Sequence, residues 1–183
     1  MIQELDFAIL GWIQLNLRCE WLDWLMPKIT LFGELGLFWI AVTIILLLVK
    51  RHRRCGAMLA CGLTAGLVIG NGLMKNLVAR ARPCWIDPSV DMLVAVPADF
   101  SFPSGHTLAC FIAATVLLRY NRRLGVPALC IAMVVAFSRM YLYVHFPTDV
   151  LCGAALGIAI GSAVSLLFER FAPVRSAQAW SAV

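Results

Sequence analysis

The sequence predicts an all-α membrane protein: a polytopic helical bundle with about five transmembrane helices and an N-terminal interfacial amphipathic helix. Three observations carry that expectation. Of the 183 residues, 62% are hydrophobic and only 14% are charged, against roughly 25% charged in an average soluble domain. The charges are bunched, leaving uncharged runs such as Cys55–Met74, about the 20 residues needed to cross a hydrocarbon core. The basic clusters KRHRR at 50–54 and RYNRR at 119–123 each follow an apolar run, with Arg170 and Arg175 after the last one. Cytoplasmic anchors stand in such places. This placement, rather than nucleic acid, accounts for the net charge of +5. No long linker or low-complexity stretch is visible, so residues 1–183 read as a single integral-membrane domain.

The first segment, MIQELDFAILGWIQLNLRCEW, puts acids before its apolar part and offers no clean cleavage site, unlike a signal peptide. It reads as a helix lying at the interface, anchored by Trp12, Trp21 and Trp24. Spans are then expected over roughly Leu31–Val49, Cys55–Met74, Gly105–Leu118, Leu124–Tyr143 and Val150–Phe168. The first carries Glu34 near its outer end, and the third is short for an average bilayer. Gly62, Gly66 and Gly70 in the second span, and Gly153, Gly157 and Gly161 in the fifth, give smooth faces for close helix packing. The cysteines have no metal-ligand spacing. Cys55, Cys61, Cys110, Cys130 and Cys152 read as small core residues, and a disulfide between Cys19 and Cys84 is not favoured.

With KRHRR cytoplasmic, the 75–104 loop and the 144–149 turn lie on the far side, together with nearly all the acids. That topology gathers Lys75, Arg80, Arg82, His106, Arg139, His145 and Asp149 at one surface. Each has an ordinary explanation when taken singly. Lys75 could snorkel, Arg82 could anchor at the interface, and Ser104 could be a helix N-cap. His106 could face headgroups, and Asp149 suits the positive end of a helix. Together, the basic side chains and a helix N-terminus make an anion site, most naturally for phosphate. A histidine of pKa near 6.5 can serve there as nucleophile or acid. Asp149, four residues after His145, is placed to accept its Nδ1–H and leave Nε2 free to attack. His106 has no such carboxylate beside it and suits proton donation.

These residues fall into three motifs: KNLVARARP (Lys75, six residues, Arg82-Pro83), PSGH (103–106) and SRMYLYVHFPTD (Ser138-Arg139, five residues, His145, three residues, Asp149). In order and spacing they resemble the type 2 phosphatidic acid phosphatase (PAP2) superfamily, over nearly the whole chain. Ala81 stands where many members carry a first proline. The resemblance implies that His145 is the nucleophile and becomes a phosphohistidine, that Asp149 orients it, and that His106 protonates the leaving oxygen. It implies that Lys75, Arg82, Ser104, Gly105 and Arg139 bind the substrate phosphate. No cofactor and no metal are expected.

The implied substrate is a membrane lipid phosphate or diphosphate. For a small bacterial member, the first expectation is hydrolysis of undecaprenyl diphosphate to undecaprenyl phosphate and phosphate. The expected location is the inner membrane, multi-pass, with the site facing the periplasm. A phosphatidylglycerophosphate or phosphatidate phosphatase is the alternative, and a phosphate-binding lipid transporter is the alternative of another class. The 84–102 loop and the span faces are expected to read headgroup and tail. Nothing in the sequence names a protein partner.

Overall fold

The computed structural model describes residues 1–31 and 36–171, and among them the regular structure is entirely helical. Residues 32–35 of the expected Leu31–Val49 span, Glu34 among them, and Arg175 lie outside the described residues. Helix α1 spans Ile2–Asn16 and α2 Glu20–Leu31, so the expected interfacial helix is two helices with a break between them. Helix α3 covers Leu37–Leu48, and a short turn over Lys50–His52 leads into α4, Arg53–Gly66. A π-helical stretch, Leu67–Met74, continues α4 into α5, Lys75–Val78. Then come α6 (Pro83–Ile86), α7 (Gly105–Tyr120), α8 (Arg122–Tyr141) and α9 (Pro147–Phe171).

Among the described residues, three segments are long and apolar enough to cross a membrane: those within Lys50–Ile86, Arg122–Tyr141 and Pro147–Phe171. Helices α3 and α7 are apolar but shorter, with 12 and 16 residues. The length of α7 has a physical reason. It packs against α4, α8 and α9, and Cys110, Ile112, Ala113, Ala114 and Val116 are all buried. Protein rather than lipid surrounds it. Close approach depends on the glycines of α9: a Cβ on Gly153 would lie 2.8 Å from the Ser104 carbonyl oxygen, and one on Gly157 2.8 Å from that of Leu108. Gly62, Gly66 and Gly70 likewise receive the side chains of Ile112 and Leu108.

The two ends of the bundle differ in character. At one, His52 Nδ1 lies 2.9 Å from Tyr120 Oη, and Arg54 donates to the Phe168 carbonyl at 2.9 Å. KRHRR, RYNRR and the end of α9 therefore meet. The three motifs gather at the other end, beneath a cap made by α1 and the 84–102 loop. Helix α1 buries Asp6, Leu10 and Ile13, while Ile2, Leu5, Ile9 and Trp12 face outward, as a helix seated in an interface requires. Cys55 and Cys110 are core residues. Cys61, Cys130 and Cys152 instead point outward, because apolar membrane helices place small residues toward lipid as readily as toward protein. Cys19 and Cys84 are both free thiols.

Candidate active site

Local backbone chemistry aims each motif. Helix α5 ends at Ala79, whose φ of +46° is left-handed and turns the chain sharply back over the bundle end. Arg82 is extended, as a residue before proline must be, and Pro83 takes the first position of α6. At the second motif, the Ser104 N–H donates to the Asp149 carbonyl oxygen at 3.2 Å, tying the start of α7 to α9. Ser104 is the N-cap residue, but its hydroxyl pairs with Thr107 Oγ1 at 2.9 Å instead of capping the helix. At the third, the N–H groups of Val144 and His145 both donate to the Arg139 carbonyl oxygen (3.2 and 3.3 Å), and Tyr143 has a φ of +58°. This tight reversal presents His145. Pro147 then opens α9, and Asp149 in its first turn accepts the Phe146 N–H at 3.0 Å, one half of a capping box.

His145 is 1% exposed. Its Nε2 lies 3.1 Å from Arg82 Nη1, which also donates to the Val144 carbonyl oxygen at 2.8 Å. A guanidinium has only donors, so Nε2 carries the lone pair and Nδ1 the proton. That is the tautomer in which Nε2 can attack. Burial pulls the imidazole pKa down and the charges of Arg82 and Arg139 add to this, against the pull of Asp149. His145 is therefore neutral at pH 7. His106, in the first turn of α7, is half-buried and within electrostatic reach of Arg139, His145, Arg82 and Lys75. Arg139 is itself buried and donates from Nη1 to Thr30 Oγ1 on α2. A Cβ on Gly105 would lie 2.8 Å from Asn71 Oδ1, so the start of α7 sits directly against the π-helical stretch.

A neutral, buried imidazole among cationic side chains at a helix N-terminus is equipped for attack on a phosphoryl group. The chain as a whole is similar to known proteins. The PAP2 superfamily profile matches residues 55–172. The chain belongs to the PAP2 superfamily. It is 34% identical over 156 residues to an undecaprenyl-diphosphatase of Sulfolobus acidocaldarius, covering 84% of this chain and 74% of that protein. It is 32% identical over 175 residues to phosphatidylglycerophosphatase B of Bacillus subtilis, covering 87% and 81%. Among solved structures it resembles a transmembrane PAP2-type phosphatidylglycerolphosphate phosphatase from Bacillus subtilis. There the TM-score is 0.77 at 28% identity, covering 95% of this chain and 89% of that one.

Within the candidate site, three arrangements differ from the reading of the sequence. Asp149 Oδ2 stands 3.8 Å from His145 Nδ1, an ion-pair distance too long for a hydrogen bond. The buried Ser101 hydroxyl lies between them, donating to Asp149 Oδ2 and 3.4 Å from Nδ1. Ser101 carries no sequence signal beyond its place just before PSGH. Arg80 turns away from the other cations: Nη1 reaches Asp149 Oδ1 at 2.6 Å and Nη2 reaches Asp6 Oδ2 at 2.7 Å.

The third difference is Asp99, on the 84–102 loop. Its carboxylate accepts from Lys75 Nζ and, at 2.6 Å, from Arg82 Nη2, while its backbone carbonyl accepts from Arg82 Nε at 2.7 Å. Burial alone would raise its pKa. The hydrogen bond from Lys75 and the charges of Arg82 and Lys75 outweigh that and bring it down to about 2. Two cations of the first motif, expected from the sequence to bind phosphate, thus hold a carboxylate. The loop that carries it is pinned from above: Met92, Leu93 and Val94 pack against Ile13, Met26, Tyr141 and Val144.

Proposed function

We propose that this PAP2 protein is a lipid diphosphate phosphatase that converts undecaprenyl diphosphate to undecaprenyl phosphate and phosphate. Hydrolysis of phosphate esters follows from the family and its relatives. The diphosphate substrate is supported by the undecaprenyl-diphosphatase relative. The observation that carries the mechanism is His145 Nε2, buried and 3.1 Å from the Arg82 guanidinium, a partner that can only donate.

In this reading Arg82 moves from Nε2 to a phosphoryl oxygen when substrate enters. Nε2 attacks phosphorus in line, the bond to the bridging oxygen breaks, and a phosphohistidine forms. His106, charged once the anionic phosphate lies beside it and offsets the surrounding cations, donates its proton to the departing oxygen and then takes one from the water that attacks the phosphohistidine, releasing phosphate and restoring His145. Lys75, Arg82, Arg139, Ser104 and the Gly105 N–H hold the phosphoryl oxygens, so side-chain cations provide the charge stabilisation that a metal ion supplies in other phosphatases. The Ser101 hydroxyl accepts Nδ1–H while donating to Asp149, whose charge steadies the cationic ring. The site faces the periplasm of a bacterial inner membrane, because the basic clusters lie at the opposite end of the bundle.

The second reading is a phosphatidylglycerophosphate phosphatase, favoured by the relative and the solved structure that carry that name. Phosphate release by the purified protein in detergent, with EDTA present, decides between them. Undecaprenyl diphosphate, phosphatidylglycerophosphate and phosphatidate are compared, and undecaprenyl diphosphate is expected to be turned over fastest. Strict dependence on added divalent metal contradicts the mechanism. Failure on every lipid favours a phosphate-binding transporter.

A further inference from the structure

The structure assigns Asp6, on helix α1, as a positioning residue for the His145–Asp149 couple, acting through Arg80; this rests on the phosphohistidine reading above. Asp6 is an acid on an otherwise apolar helix face, yet it is 1% exposed. It also lies outside residues 55–172, the part of the chain that matches the PAP2 profile. A buried carboxylate is expensive unless it is fully paired, and this one is. Asp6 Oδ2 accepts from Arg80 Nη2 at 2.7 Å and from Thr148 Oγ1 at 2.6 Å, and Oδ1 accepts the Thr148 N–H at 3.1 Å.

Those partners lead directly to the reacting histidine. Arg80 Nη1 donates to Asp149 Oδ1 at 2.6 Å and to Thr148 Oγ1 at 2.7 Å. One planar guanidinium therefore bridges two buried carboxylates, and it lies over the Phe146 ring, 4.0 Å from its centroid. The Thr148 N–H is one of the orphan donors in the first turn of α9. Asp6 satisfies it from across the chain and so fixes the turn that carries Asp149.

Two consequences follow from removing the Asp6 charge. The Arg80 fork loses one of its anchors, so Asp149 loses a fixed partner. The whole Arg80 charge then falls on Asp149, which weakens the support it gives, through the Ser101 hydroxyl, to the Nδ1–H that becomes acidic during attack. Both act on the chemical step. Asp6 makes no hydrogen bond to Lys75, Arg82 or Arg139, so substrate binding is left alone.

The test uses the full chain in detergent with undecaprenyl diphosphate, measuring kcat and KM for wild type, Asp6→Asn, Asp149→Asn and the double variant. Asp6→Asn is expected to lower kcat about tenfold, equivalent to about 1.4 kcal/mol, with KM within about twofold. In the Asp149→Asn background it should add nothing, because a residue that acts through Asp149 has no further route to His145. An unchanged kcat, a change in KM alone, or the same tenfold loss in both backgrounds overturns the assignment. If Asp6→Asn does not yield monodisperse protein, Thr148→Val decides, since it removes the shared hydroxyl and leaves both charges in place. It should lower kcat about threefold at constant KM, and a wild-type kcat there overturns the assignment too. His145→Ala separates the two layers. Full activity in that variant removes the phosphohistidine reading itself, whereas an inactive His145→Ala beside a fully active Asp6→Asn removes only the role of Asp6.

Discussion

Replacing Asp99 by asparagine should make the protein bind phosphate more tightly while making the fold less stable. The carboxylate pairs with Lys75 and Arg82, the cations proposed to take the phosphoryl oxygens, so an incoming anion has to displace it. A drop in pKa from 3.8 to about 2 corresponds to roughly 2.5 kcal/mol of preference for the ionised form. The side chain is 56% exposed, and solvent screening reduces this to about 1 kcal/mol. Removing the competing charge should therefore lower the inhibition constant of inorganic phosphate about fivefold, measured against lipid hydrolysis at pH 7. Stability should move the other way, with a sign set by the lowered pKa. The contribution of Asp99 is complete above its unfolded value and is lost as pH falls through the folded value. The melting temperature of Asp99→Asn should accordingly lie below wild type at pH 7, and the gap should close as pH approaches about 2. Phosphate inhibition that is unchanged or weaker in the variant would refute the competition and leave Asp99 as a support for the two cations.

Two further substitutions probe how the site is built. Gly153→Ala places a methyl group 2.8 Å from the Ser104 backbone oxygen, which cannot swing aside. Overpacking of this kind costs about 1–3 kcal/mol, so a lower melting temperature and weaker activity should appear together, and a variant equal to wild type in both would contradict the α7–α9 contact. Ser101→Ala deletes the hydroxyl between Nδ1 and Asp149. It should cut kcat about tenfold with KM little changed; steady-state kinetics at wild-type values would show that Asp149 reaches the ring without it.

The motif residues were legible because their spacing and helix-end positions lie within the sequence itself. Lys75 with Arg82, Ser104 with His106, and Arg139 with His145 and Asp149 each stand a few residues apart, and hydropathy sets each group at a helix end. Partners supplied by other segments were not legible. Asp99 and Ser101 lie in a loop without periodicity, and nothing in that stretch states which cation or carboxylate it covers. Asp6 reads as an acid at the start of an interfacial helix until α1 docks on the start of α9. Hydropathy also mixes two environments: lipid and protein interior are both apolar, so it could not place Cys61, Cys130 and Cys152 on the outer surface. The same blindness hid why α7 is short: it is a central helix sheathed by its neighbours.

The phosphohistidine itself can be trapped. Purified protein is mixed with undecaprenyl diphosphate radiolabelled in its terminal phosphate, quenched on the millisecond scale, and assayed for protein-bound phosphate that is labile to acid and stable to alkali. Wild type should carry the label during turnover, and His145→Ala should carry none and release no phosphate. Label on the His145→Ala protein, or phosphate release that survives the loss of this residue, would contradict the assignment of His145 as the nucleophile.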